Sequence, residues 1–218
     1  MAFHKMPFYS MFRNWYVKRS WTKEVYDAWC AGARDGAPPH IVKQENLRAI
    51  ARTTGLRVFV ETGTYYGDMI EALKDDFDEM YSIEVFEMLY RRAQRRFRKS
   101  KNVKLFFGDS GVRLGEVMDE IGNRPILFWL DGHSSGKGTG KGVTETPIMK
   151  EMEHVFAKAN PSSVVVIDDA NAFDGSGDYP ELDFFCEWIL KKRPNARIEI
   201  VDNAIRVFLD TRNGAITP

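Results

Sequence analysis

The chain has 218 residues, with 31 Lys+Arg balanced by 31 Asp+Glu, and only two cysteines. This length suits one α/β domain with a sizeable core and no staples, while the zero net charge excludes an overall field drawing the protein to nucleic acid or an anionic membrane. Cys30 and Cys186 have no short metal-ligand spacing and no secretory signal precedes them, which argues against a disulfide framework and for a reducing, cytoplasmic setting.

Residues 1–40 read as an N-terminal helical cap. Phe3, Phe8, Tyr9, Phe12, Trp15, Tyr16 and Trp21 mix with Arg13, Lys18 and Arg19, and the helical pattern runs to about residue 35, ending at the breaker cluster Gly36-Ala37-Pro38-Pro39. Packing of these aromatics onto the domain is the simplest role, with a lid over substrate and a membrane-surface contact as the alternatives. The longest apolar runs, such as Val164 to Ile167, are too short for a transmembrane segment.

Residues 41–218 form the second unit, in which helical and extended patterns alternate. The spacing predicts a helix near Gln44 to Thr54, a strand from Leu56 to Glu61, a helix from Asp68 to Lys74 and a strand from Glu79 to Val85. A helix from Glu87 to Arg98, a strand from Val103 to Phe107, a helix from Val112 to Ile121 and a strand from Pro125 to Leu130 follow. After a Gly-rich loop come a helix from Pro147 to Ala159, a strand from Ser163 to Ile167, a helix from Leu182 to Lys192, and strands Ala196 to Val201 and Ala204 to Leu209. Near-continuous apolar strands between amphipathic helices predict a Rossmann-like α/β fold: a seven-stranded, mainly parallel sheet with helices on both faces. Asp202-Asn203 is a hairpin signal, so the sheet is expected to end in an antiparallel pair.

The stretch Val58-Phe59-Val60-Glu61-Thr62-Gly63-Thr64-Tyr65-Tyr66-Gly67 is an apolar strand ending in an acid, followed by a two-glycine turn that opens a helix. Such a turn lets backbone approach a ligand and aims the helix amides at it. It lacks the middle glycine of G-x-G-x-x-G, which weakens a pyrophosphate cradle. Glu84 ends the next strand, where a carboxylate can accept both hydroxyls of a ribose, with Val85 beside it. Asp109 and Ser110 follow the third strand, where an Asp can take an adenine amine; helix N-capping is the alternative there.

Asp131 and His133 follow the fourth strand, and Asp168-Asp169 follow the fifth. Converging carboxylates repel unless a cation or proton sits among them, and an all-oxygen set suits Mg²⁺. A metal would weaken the proton of an alcohol, and His133 is the candidate base. For Asp168-Asp169 the alternative is an N-cap pair, and for His133 a structural hydrogen bond.

The segment from Arg57 to Leu209 resembles the class I methyltransferases that use S-adenosylmethionine (SAM), and its E-x-G-x-x-x-G resembles the first motif of small metal-dependent O-methyltransferases. That resemblance implies SAM contacts at Glu61, Gly63, Thr64, Gly67, Glu84, Val85, Asp109, Ser110 and Asp131. The acids after the fourth and fifth strands resemble those of macrocin-type sugar O-methyltransferases, which implies Asp131, Asp168 and Asp169 as magnesium ligands and Asp131 with His133 as the catalytic pair. Those relatives often carry D-G-D where this chain has D-G-H. The strings W-L-D-G-H-S-S-G, T-P-I and I-D-D-A-N-A-F are similar to a bacterial methyltransferase-like group whose acceptor is not defined. The implied partner is a small-molecule acceptor such as a sugar or glycan, with no nucleic acid; a homodimer is left open as the assembly. Metal-independent transfer and a non-catalytic binding subunit are the rival readings.

The loop from Ser134 to Gly142 departs from a phosphate loop at Ser135 and Gly142 and reads as a lid, with Lys137 and Lys141 toward an anionic substrate. Arg91, Arg92, Arg95, Arg96, Arg98, Lys99 and Lys101 read as a solvated outer helix and tail. Phe173, Asp174, Asp178 and Tyr179 are expected to line the acceptor pocket. His4, His40 and His154 read as surface or packing residues.

Overall fold

The computed structural model describes residues 21–34, 36–132 and 146–211. Seven strands form one sheet: β1 (Val58–Thr62), β2 (Glu79–Glu84), β3 (Val103–Phe107), β4 (Ile126–Leu130), β5 (Val164–Ile167), β6 (Arg197–Val201) and β7 (Ala204–Phe208). Their spatial order is β3-β2-β1-β4-β5-β7-β6. The first five neighbours are parallel, and β7 runs antiparallel to both β5 and β6. The hairpin turn is Asp202-Asn203, with φ 52° and 56°; two left-handed residues give the primed turn whose twist matches the strands it joins.

The helices are α1 (Lys23–Ala31), α2 (His40–Thr54), α3 (Asp68–Leu73), α4 (Glu87–Phe97), α5 (Ser110–Ile121), α6 (Ile148–Lys158) and α7 (Leu182–Lys192). Alternation along each strand serves two cores. Val58, Val60, Ile126, Phe128 and Val165 face α5, α6 and α7, while Phe59, Leu127, Trp129, Val164 and Val166 face α2, α3 and α4. Both faces are apolar and both are covered, which is why the parallel strands read as unbroken hydrophobic runs.

Two helix starts fall earlier in the chain than the pattern predicts. Helix α2 begins at His40 with Pro39 as its N-cap residue, since a proline just ahead of a helix does not have to donate a backbone hydrogen bond. Helix α5 begins at Ser110 because Asp109 caps it, accepting from the Gly111 amide at 2.8 Å. The helix expected over residues 1–35 is α1 in the described part, ending at Ala31; residues 1–20 lie outside the described residues.

Helix α1 is tied to the hairpin tip. The Asp202 carboxylate accepts from Trp29 Nε1 at 2.9 Å, Arg34 Nε at 2.8 Å and Asn46 Nδ2 at 2.8 Å. This clamp joins α1, α2 and the sheet edge, so it also fixes where α2 points. Among the described residues no helix is long and apolar enough to cross a membrane.

Candidate functional site

Parity along the strands gathers the acids. Ser82 pairs with Glu61, Glu61 with Trp129, and Trp129 with Val166. Side chains two positions further along each strand keep the same face, so Glu61, Glu84, Asp131 and Asp168 all fall on the face that carries α2. Hydrogen bonding continues past the strand ends: the Asp131 amide donates to Thr62 O at 3.2 Å and the Asp168 amide to Leu130 O at 3.1 Å. The order reverses between β1 and β4, where an open α/β sheet leaves a crevice beyond its carboxyl ends. A cleft of about 170 Å³ lies there, lined by Glu61, Gly63, Thr64, Trp129 and Asp131 below and by His40 and Lys43 from α2 above.

Gly63 allows β1 and β4 to close on each other. Its φ is +82°, and a Cβ built on it would lie 2.3 Å from the Asp131 carbonyl oxygen. Gly67, with φ +76°, would place a Cβ 2.5 Å from the Phe97 ring. The loop between them uses its own amides. Gly63 and Thr64 donate to Ile83 O at 3.0 and 3.3 Å, Gly67 donates to Thr64 O at 2.7 Å, and Tyr65 donates to Glu84 Oε2 at 2.7 Å. These four amides of the turn are thus engaged within the protein, and α3 behind them is six residues long.

Arg96 braces that loop, donating to Asp68 Oδ1 at 2.9 Å and to the Tyr66 carbonyl, and Arg92 lies 4.3 Å from the Tyr66 ring centre. The reading of α4 as a wholly solvated basic helix is thus corrected at these two positions. Neither is visible as a pattern, because their partners lie about thirty residues back in the chain.

Glu61 is buried at 2 % exposure and accepts from Ser82 Oγ at 2.6 Å, and Ser82 in turn meets Thr64 Oγ1 at 2.6 Å. Burial pushes its carboxyl well above the usual carboxylate range; the Ser82 bond opposes this, and Asp131, Glu84 and Asp68 add to it. Glu84 holds the backbone in place, taking the Tyr65 amide on one oxygen and the Phe86 amide on the other at 2.8 Å, with Val85 between strand and turn. Each carboxylate oxygen has a second lone pair for a ligand hydroxyl. Burial raises this carboxyl too, against the pull of those amides. Asp109 does cap α5, as its alternative reading held, and Ser110 Oγ lies 3.1 Å from where a Cβ on Gly132 would sit.

The three acids expected to hold magnesium converge, but a lysine is already among them. Lys43 is ion-paired with Asp168 Oδ2 and lies 5.9 Å from the Trp129 ring centre. Burial lowers the Lys43 pKa, but Asp168, Asp131 and Asp169 more than reverse this, so the net direction is upward and the ammonium persists. Asp169 has φ 53° and accepts from Asn203 Nδ2 at 3.2 Å. Asp168 Oδ1 is buried without a hydrogen-bond partner among the described residues. With the Lys43 ammonium paired to Asp168 and one Asp169 oxygen taken by Asn203, the acids as arranged do not offer a magnesium shell, and no cluster of three His, Cys, Asp or Glu suited to a metal occurs among the described residues. His133, the lid loop with Lys137 and Lys141, and Ser134 to Gly142 lie outside the described residues.

Of the segment expected to line an acceptor pocket, Tyr179 alone faces the acids. Burial pushes its phenol up to about 12, a Thr146 hydrogen bond opposes this, and Asp169, Asp131 and Glu151 add to it. Phe173 instead fills the core against Phe185, 4.9 Å between ring centres; Asp174 caps a turn at Ser176, and Asp178 is exposed. His40 is the packing residue expected of it, and more. It stacks on Trp21 at 5.1 Å, hydrogen-bonds with Gln44 at 2.6 Å and lines the cleft. Its spacing of three from Lys43 was the available signal, since i and i+3 share a helix face.

No protein-family model matches the sequence, and no curated protein matches it. Solved structures do. The O-methyltransferase TomG from Streptomyces achromogenes, in complex with SAM, is 15% identical over 89% of each chain with a TM-score of 0.57. The methyltransferase PaMTH1 from Podospora anserina, bound to S-adenosylhomocysteine (SAH), is 14% identical over 96% of this chain and 98% of its own, also at 0.57. An O-methyltransferase from Bacillus cereus in complex with SAH is 15% identical over 85% and 88%, at 0.54. At such identities the likeness is one of architecture, and the chain has the Rossmann-like fold of the class I SAM-dependent methyltransferases.

Proposed function

We propose that the chain is a SAM-dependent O-methyltransferase whose acceptor is a hydroxyl of a small molecule, of the sugar or polyol class. The observation that carries this reading is the placement of Glu61, Glu84, Asp131 and Asp168 on one sheet face at the carboxyl ends of neighbouring strands, with Glu61 and Asp131 lining the β1/β4 crevice beside a glycine that admits no side chain. SAM- or SAH-bound neighbours of the same fold support it.

In this reading Glu84 takes the ribose hydroxyls beside Val85, Asp109 and Ser110 meet the adenine, and Gly63, Thr64 and Gly67 let backbone approach the rest. Buried Glu61 faces the cationic end of the ligand. SAM, when bound, supplies an electrophilic methyl group on a sulfonium. Asp131 and Lys43, at the cleft's edge, orient the acceptor oxygen in line with that methyl and exclude water. The hydroxyl proton passes to a base, for which His133 is the proposed residue. A magnesium-assisted version would set the ion among Asp131, Asp168 and Asp169; the Lys43–Asp168 ion pair favours the metal-free version instead.

Glu61 makes the reading testable by pH. A carboxyl whose folded pKa is raised contributes stability that is fully present below its unfolded pKa of about 4.3 and is lost as pH rises through the folded value. Glu61→Gln is expected to remove that loss, read as a flatter dependence of urea stability on pH between pH 4 and pH 8, while abolishing SAM affinity. In the wild type, a cationic ligand favours the ionised acid, so SAM binding releases a proton and tightens as pH rises. Calorimetry in two buffers of different ionisation enthalpy, repeated from pH 5 to pH 8, measures this, and a proton count of zero throughout would remove Glu61 from the cationic contact.

Transfer of labelled methyl from SAM to a panel of sugars and polyols tests the reaction. Label in a hydroxyl product is the expected result. SAM binding with no acceptor labelled would turn the reading toward a binding subunit.

A further inference from the structure

We infer that Lys43 is the built-in counter-cation of the acid cluster, its ammonium holding the place among Asp131, Asp168 and Asp169 that a divalent metal would take. The inference rests on the methyltransferase reading for the cluster's task, but its occupancy is a matter of geometry alone.

Three features fix the lysine there. Helix α2 is held at its start by His40, which stacks on Trp21 and bonds with Gln44, and nearly two turns later by Asn46, which donates to Asp202 at 2.8 Å. Lys43 lies on the same face as His40 and projects from α2 across the Trp129 ring to Asp168. Its side chain is 19 % exposed and that of Asp168 2 %, so the pair sits largely out of water, where a bare carboxylate is costly and a charge-assisted bond is strong.

The acids cannot serve both cations. A hard divalent ion needs several carboxylate or water oxygens in its shell; one oxygen of Asp168 is committed to Lys43, and one of Asp169 receives the Asn203 amide. Entry of an ion would require the ammonium to give up its bond to Asp168. A fixed ammonium performs two of the ion's tasks. It neutralises the carboxylates, and with three donors, of which Asp168 takes one, it can hold a ligand oxygen in the cleft. It does not supply a metal-bound hydroxide, and none is needed for transfer to an oxygen whose proton goes to a base.

The test is Mn²⁺ binding, followed through the free-ion paramagnetic resonance signal of the full chain. Wild type is expected to take up no Mn²⁺ into this cluster at millimolar concentrations. Lys43→Met vacates the place and is expected to gain at least tenfold in Mn²⁺ affinity, a gain that Asp168→Asn added to it abolishes. Should Lys43→Met be unfolded in buffer, recovery of its fold by Mg²⁺ reports the same vacancy, and failure to recover counts against it. Stoichiometric Mn²⁺ binding by the wild type, lost in Asp168→Asn, would overturn the inference outright. SAM calorimetry on the same wild-type preparation separates the two ideas: absence of SAM binding removes the methyltransferase reading and leaves the Mn²⁺ result to decide the lysine.

Discussion

Gly63→Ala is expected to destabilise the protein by about 2–5 kcal/mol and to abolish SAM binding. Two costs add. A left-handed φ of +82° imposed on an L-residue costs roughly 1–2 kcal/mol. The new methyl would also stand 2.3 Å from the Asp131 carbonyl oxygen and 2.9 Å from its carbon, and overpacking against backbone costs roughly 1–3 kcal/mol. That backbone directly follows β4 and cannot move without shifting Asp131 itself. Gly55 gives the internal control: its φ is +71° with nothing within 4 Å of an added Cβ, so Gly55→Ala is expected to lose only about 1–2 kcal/mol and to retain SAM affinity. Urea unfolding of the two variants measures the difference. Equal losses at the two positions would show that β1 and β4 do not close as described.

Lys43→Met is expected to cost about 3–5 kcal/mol at neutral pH, the usual consequence of removing one partner of a buried ion pair. The other partner then stands buried and uncompensated beside Asp131 and Asp169. Burial already raises the Asp168 carboxyl, against the pull of Lys43, and without the lysine it must rise further. An acid with a raised folded pKa contributes stability that is present below its unfolded pKa, about 3.9, and lost as pH rises through the folded value. The variant is therefore expected to lie nearest the wild type in acid and to fall further below it toward neutrality. Adding Asp168→Leu should recover much of the loss, since an apolar pair can replace a buried ionic one. Thermal unfolding between pH 4 and pH 8 decides this, and a pH-independent deficit would mean that the lysine acts by packing alone.

The sheet was legible because its signals are local. Each parallel strand is a short apolar run with a breaker beside it, and Asp202-Asn203 can only be a turn, so strand ends fell within two residues of those observed. The acids were legible for the same reason, as each ends a strand. What surrounds them was not. Asp168 finds Lys43 across 125 residues, and nothing in the I-D-D string distinguishes a lysine-paired acid from a metal-bound one. Arg96 looked like one more base in a solvated run until α4 turned it toward Tyr66 and Asp68. Phe173 follows the acids closely in sequence, yet its ring turns into the core. Periodicity reports which face a residue occupies; it does not report which distant helix is laid across that face.

A crystal structure of the chain grown with SAH would locate the cofactor pocket. The ribose hydroxyls are expected at about 3 Å from the Glu84 carboxylate, the adenine beside Asp109 and Ser110, and the sulfur over Gly63 with its open side toward Asp131 and Lys43. Ligand density away from the β1/β4 crevice, or a crevice that stays empty at saturating SAH, would contradict that placement.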